Sequence, residues 1–200
     1  PTLMNGYLRA ASDISRLAVG DPTASPIETT YKVTRWVSQR DEVEGAPYGS
    51  RGGVSVVHTF PADGEYVFRV SFHHETTGDL FGSGRGALHT ADNLEQIEIS
   101  VDGERAGLLD IDRWMHVSDP DGVNLWTDPI QISAGPHRMS AVFVRQFDGP
   151  AQDLISPHEW SLSSTSVANA YGFTSLPHLR DFAVRGPFDA TGVSDTPSRA

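Results

Sequence analysis

A chain of 200 residues, 38% of them hydrophobic, has enough apolar material for one sizeable core, and two independent domains are the poorer expectation. Its 26 acidic against 15 basic side chains give a formal net charge of -11, a field that repels phosphate backbones and anionic surfaces, so neither nucleic acid nor membrane insertion is expected. No apolar run nears the roughly 18 residues of a spanning helix. The first residues lack signal-peptide order, and the absence of cysteine excludes disulfides, thiolate metal sites, covalent haem attachment and cysteine nucleophiles from this segment.

Between Asn5 and Val19, the residues Tyr7, Leu8, Ala11, Ile14, Leu17 and Ala18 recur every three to four positions and predict a short helix. Gly20, Asp21 and Pro22 supply its stop, because glycine accepts a left-handed backbone and proline cannot continue the ladder. The period then falls to two. Strands are predicted at Thr30 to Val37 and Gly53 to Phe60, followed by the turn Pro61-Ala62-Asp63-Gly64 and a plainly alternating strand from Glu65 to His73. Ile97, Ile99 and Val101 alternate with polar residues up to Asp102-Gly103, a dipeptide whose preference for positive φ closes a two-residue hairpin into Arg105 to Leu109. Further strands are expected at Trp126 to Ser133, at His137 to Phe147 after the turn Ala134-Gly135-Pro136, and at Leu179 to Arg185. The stretches Thr76 to Asn93 and Gly149 to Pro177 have no period and are read as long loops, the usual carriers of function.

Many strands with one helix predict an all-β protein, an antiparallel β-sandwich with a short N-terminal helix. Residues 1–29 are read as that helix and its connection, packed on the sandwich, residues 30–188 as the sandwich, and 189–200 as a linker. The turn-rich run from Thr191 to Ser198 and the start at Pro1 suggest a segment trimmed from a longer chain.

The ordered motifs Gly64-Glu65-Tyr66-Val67-Phe68-Arg69-Val70, Ile97 to Glu104, Ile132-Ser133-Ala134-Gly135-Pro136-His137 and Arg180-Asp181-Phe182-Ala183-Val184 resemble the galactose-binding-like, jelly-roll carbohydrate-binding modules. A second resemblance spans nearly the whole chain. Tyr7 to Ala11 with Ile14 to Gly20, Arg51-Gly52-Gly53 with His58-Thr59-Phe60-Pro61, and Gly186-Pro187-Phe188 with Asp195 to Arg199 look like the central region of planctomycete-type, cytochrome-associated proteins of unknown function. The first resemblance implies polysaccharide or glycan as ligand and calcium as a candidate ion. The second implies an exported, extracytoplasmic parent whose haem lies in another domain, with neighbouring domains as partners.

The residues themselves bear on four chemistries. Calcium needs several converging oxygens, and Asp41, Glu42 and Glu44, with Asp181 where the first and last strands meet, are the candidates; the plainer reading is ordinary solvated carboxylates. Sugar binding needs an aromatic ring beside polar groups: Trp160 and Tyr171, with Trp114, Asn169, His158 and Glu159, are proposed ligand contacts, against the alternative that the rings pin their loop. Trp36 and Trp126 fall within or at the start of predicted strands and are expected in the core. His73, His74 and Glu75 with His89 or His116 lack a zinc spacing, and Gly82-Ser83-Gly84 lacks the context of a nucleophile elbow. The leading expectation is a non-catalytic carbohydrate-binding module; the alternatives are a spacer between domains and a carbohydrate hydrolase.

Overall fold

The computed structural model describes residues 2–73, 95–112, 114–145, 160–162 and 173–194, with the backbone alone at 17, 160, 162 and 173–175. Helix α1 covers Thr2–Val19. It ends as the sequence predicts: Gly20 takes a φ of 79°, and its N–H donates to the Arg16 carbonyl at 2.8 Å, closing the left-handed cap. Asp21 then accepts from the Thr23 N–H and hydroxyl and donates its own N–H to the Pro61 carbonyl, fixing where the chain enters the sandwich.

Two antiparallel sheets follow. The first contains β1 (Ile27–Lys32), β11 (Leu179–Gly192), β3 (Asp63–Phe72) and β6 (Asn124–Trp126) in that order, with β7 (Ile130–Ile132) also paired to β3. The second contains β2 (Ser50–Phe60), β8 (Gly135–Val144), β4 (Glu95–Val101) and β5 (Glu104–Ile111). A short parallel pair, β9 (Trp160–Leu162) with β10 (Phe173–Ser175), lies inside the stretch read from sequence as loop.

Period-two patterning puts one face of each strand inside. Tyr66, Phe68, Val70 and Phe72 of β3, with Phe182 and Val184 of β11, meet Ile97 and Ile99 of β4 and Met139, Ala141 and Phe143 of β8 in one buried cluster. Rings bridge the sheets, Phe60 against Tyr66 at 4.7 Å edge to face and Phe72 against Phe143 at 6.2 Å. Each fully buried phenylalanine contributes about 2–3 kcal/mol by leaving water, so this cluster dominates the stability of the domain. The β4–β5 hairpin turns on Asp102-Gly103 with φ of 52° and 84°. In β2 a bulge between Arg51 and Val54 is built on Gly52 and Gly53, where a Cβ on Gly53 would lie 1.9 Å from the Ala141 carbonyl oxygen.

Three expectations need correction. The strand predicted over Trp126 to Ser133 is two short pieces, because Thr127 turns inward between them. Its hydroxyl accepts the Phe68 N–H and its own N–H donates to the Phe68 carbonyl, both at 3.0 Å. Residues 189 to 193, expected as part of a linker, belong to the folded sandwich instead: β11 runs to Gly192, and Val193 packs with Ala62 and Ala134 in a second small cluster. The apolar stripe of α1, expected against the sandwich, is exposed, with Leu3, Met4, Tyr7, Leu8 and Ile14 between 61% and 74% accessible.

Candidate functional site

Alternation that sends Phe68 and Val70 inward sends Val67, Arg69 and Ser71 outward, and the register aligns them with outward residues of the neighbouring strands. One row across the five-stranded sheet reads Thr30, Ala183, Arg69, Trp126, and the next reads Lys32, Asp181, Ser71, Asn124. Trp126 is therefore on the surface, 41% exposed, rather than in the core. The inward Thr127 bracket behind it fixes its phase. Trp36, the other tryptophan expected inside, is 71% exposed beyond the end of β1.

The polar groups around Trp126 hold one another. Arg69 donates to Asp181 at 2.7 Å and to Glu28 at 2.9 Å, and its guanidinium carbon lies 5.6 Å from the centre of the Trp126 ring. Burial works against the Arg69 charge, but the hydrogen bond it donates to Glu28 and the two carboxylates outweigh it and hold the guanidinium protonated more firmly than usual. A bulge between Leu179 and Asp181 puts Arg180 beside this row, where it donates to Asp181 at 3.0 Å and to the Ser71 hydroxyl at 2.5 Å; Ser71 in turn donates to Asn124. The result is an indole beside a pre-positioned set of guanidinium, carboxylate, hydroxyl and amide groups.

Asp181, proposed from sequence as a calcium ligand, is thus engaged by two arginines. Asp41, Glu42 and Glu44 are exposed on the connection between β1 and β2, where Asp41 accepts the Gly52 N–H through its backbone and Glu42 lies 4.0 Å from Arg145. The structure does not bring them to Asp181. Among the described residues no group of three or more His, Asp or Glu side chains is arranged to hold a metal ion. His73 bonds the Val33 carbonyl at 3.1 Å, and His116 accepts the Ser118 N–H at 3.1 Å. Trp114 is half exposed on the connection between β5 and β6. His158, Glu159, Asn169, Tyr171 and the side chain of Trp160 lie outside the described residues, as do His74, Glu75, His89 and Ser83.

A buried polar chain fastens the β1–β2 connection to the sandwich. The Gln39 N–H donates to Ser161 Oγ at 2.6 Å, Ser161 pairs with His178 Nε2 at 2.9 Å, and His178 Nδ1 meets the Arg35 carbonyl at 3.1 Å. The carbonyl needs a donor, so Nδ1 carries the proton and Nε2 accepts from the serine. Arg51 extends the chain to the Gln39 carbonyl and to Glu95. Ser161 and His178 are wholly buried, which makes this chain a support.

No protein-family model and no curated protein matches the chain. No helix among the described residues is long and apolar enough to cross a membrane.

Proposed function

We propose that the chain is a polysaccharide- or glycan-binding module whose binding platform is the outer face of the five-stranded sheet. One observation carries the reading: Trp126 stands exposed on that face while Arg69, Asp181, Arg180 and Asn124 are already locked around it. A pyranose ring offers an apolar face for the indole and hydroxyls for carboxylate, amide and guanidinium partners. Because the polar groups are held by one another before any ligand arrives, little ordering is needed on binding.

Affinity electrophoresis through gels containing xylan, galactomannan, hydroxyethylcellulose or pectin tests this, run with calcium and again with chelator. Retention on at least one polymer is expected under both conditions, since the platform needs no ion. Trp126→Ala weakens it by about tenfold or more, a loss of about 1.4 kcal/mol. Equal migration in every gel, or retention unchanged in the Trp126 variant, refutes the platform.

The exposed apolar stripe of α1 supports a second reading, an interaction module that docks a neighbouring domain through Leu3, Met4, Tyr7, Leu8 and Ile14. The two readings use different surfaces, so substituting the helix stripe is expected to leave glycan retention unchanged and to abolish docking of the neighbouring domain.

A further inference from the structure

Where the β4–β5 hairpin meets the passage from β7 to β8, a pocket of about 470 Å³ is lined by Val101, Ala106, Ile130 and Ile132, with Arg105 on its wall. Three further lining residues, Asp102, Ser133 and His137, are connected in series. Asp102 accepts from His137 Nδ1 at 2.5 Å through Oδ2 and from the Arg138 N–H at 2.8 Å through Oδ1. Ser133 Oγ lies 3.1 Å from His137 Nε2. The carboxylate fixes the tautomer: Nδ1 carries the proton, so Nε2 presents a lone pair to the serine hydroxyl. Phe60 packs against the imidazole with ring centres 5.7 Å apart and holds its plane.

We propose that Ser133, His137 and Asp102 form a nucleophilic serine centre that hydrolyses a small carboxylic ester. This goes beyond the glycan-binding reading and does not depend on it. Three features separate the centre from the buried Ser161–His178 pair. Ser133 and His137 are partly exposed, they open on a pocket of a size that admits a small acyl group, and the second imidazole nitrogen faces a carboxylate rather than a carbonyl. Burial tends to raise the Asp102 pKa, but the bonds from His137 and from the Arg138 N–H overcome this and keep it below the ordinary carboxylate value. Asp102 also sits at a φ of 52°, a left-handed position that aims the carboxylate back at β8.

The chemistry balances without a cofactor. Ser133 Oγ attacks the acyl carbon while its proton passes to His137 Nε2, and Asp102 stabilises the imidazolium. The carbon–oxygen bond to the alcohol breaks, and the leaving oxygen takes the proton from Nε2. Water, deprotonated by Nε2, then attacks the acyl-serine, releasing the acid and restoring the hydroxyl. Arg105, paired to Glu98 at 2.6 Å, also lines the pocket.

The test is labelling of the wild-type protein with a fluorophosphonate probe, located by peptide mass spectrometry, with turnover of p-nitrophenyl acetate followed in parallel. A covalent adduct at Ser133 is expected. Ser133→Ala and His137→Gln are expected to lower turnover at least a hundredfold, with melting temperatures measured alongside. A folded wild-type protein left unlabelled at Ser133, or a Ser133→Ala variant that turns over ester as the wild type does, overturns the proposal. The first readout needs no variant, so loss of folding in His137→Gln does not obscure it.

Discussion

Acidification should release the sandwich through His178, and the size of the effect follows from its surroundings. Its ring is fully buried, and burial is the largest influence on it; the Arg35 carbonyl favours the charged form, but the nearby charges of His73, Arg51 and Arg35 add to the burial effect, and the pKa falls from 6.5 to about 4. In the unfolded chain the imidazole takes its proton near 6.5, whereas the folded protein refuses it until about 4. Between these values the unfolded state binds more protons, so stability falls as pH falls, with a slope approaching about 1.4 kcal/mol per pH unit from this residue. At pH 5 the loss is about 2 kcal/mol, and by pH 4 about 3 kcal/mol, a large share of a marginal domain stability. His58 and His73 are also lowered by burial and steepen the same limb, so the measurement must be a difference. Urea unfolding of wild type and His178→Gln at pH 7, 6, 5 and 4.5 supplies it. The variant starts less stable at pH 7, because the serine and carbonyl lose a fitted partner, but loses less as the pH drops. Parallel curves would refute the reasoning, since they would mean that His178 charges equally well in the folded state.

Gly49 and Gly53 have almost the same φ, 81° and 82°, but a Cβ on Gly49 meets open space while one on Gly53 meets the Ala141 carbonyl. Gly49→Ala should cost about 1 kcal/mol and Gly53→Ala about 3 kcal/mol or more, by urea midpoint; equal losses would place the whole cost in the backbone angle. Ser100 and Ser140 are buried and share a hydrogen bond of 2.6 Å across β4 and β8. Either alanine substitution alone should cost about 1–3 kcal/mol by orphaning the other hydroxyl, and the double variant should lose less than the sum; strict additivity in thermal unfolding would show that the pair is not coupled.

Much of the sandwich is legible because one physical signal, alternation, is strong where one face is dry and the other wet. Tyr66, Phe68, Val70 and Phe72 announce β3, and Asp102-Gly103 announces the β4–β5 hairpin. The platform is harder to read because it depends on single-residue phase. Trp126 looks like a strand's first core residue until Thr127 takes the inward place by bonding the backbone of Phe68, a partner distant in sequence. Arg180 joins Asp181 on the outer face through a bulge that no local pattern marks, and Asp181 is drawn to Arg69 and Arg180 rather than to the acidic run at Asp41. The run from Ser133 to His137 reads as a turn. That its histidine meets Asp102 follows from β4 lying beside β8, which appears only when the sheet is assembled.

The two proposed surfaces differ in how the fold supports them, and this gives each an independent test. Trp126 and its partners stand on one sheet, so their spacing is set by the pairing of β1, β11, β3 and β6. Ser133 follows β7, which pairs with β3 in that sheet, whereas His137 belongs to β8 and Asp102 to the turn after β4, both in the opposite sheet. The pocket therefore spans the seam, and its 3.1 Å contact between serine and imidazole depends on the core that joins the sheets. Trimming Trp126 removes surface without touching that core and should leave Ser133 labelling at the wild-type level. Phe60→Ala removes the ring beside His137 and a wholly buried contact between the sheets, at about 3–5 kcal/mol. It should slow labelling while the protein remains folded, and glycan retention should persist. Labelling as fast as wild type in that variant would mean that the imidazole is held by Asp102 alone.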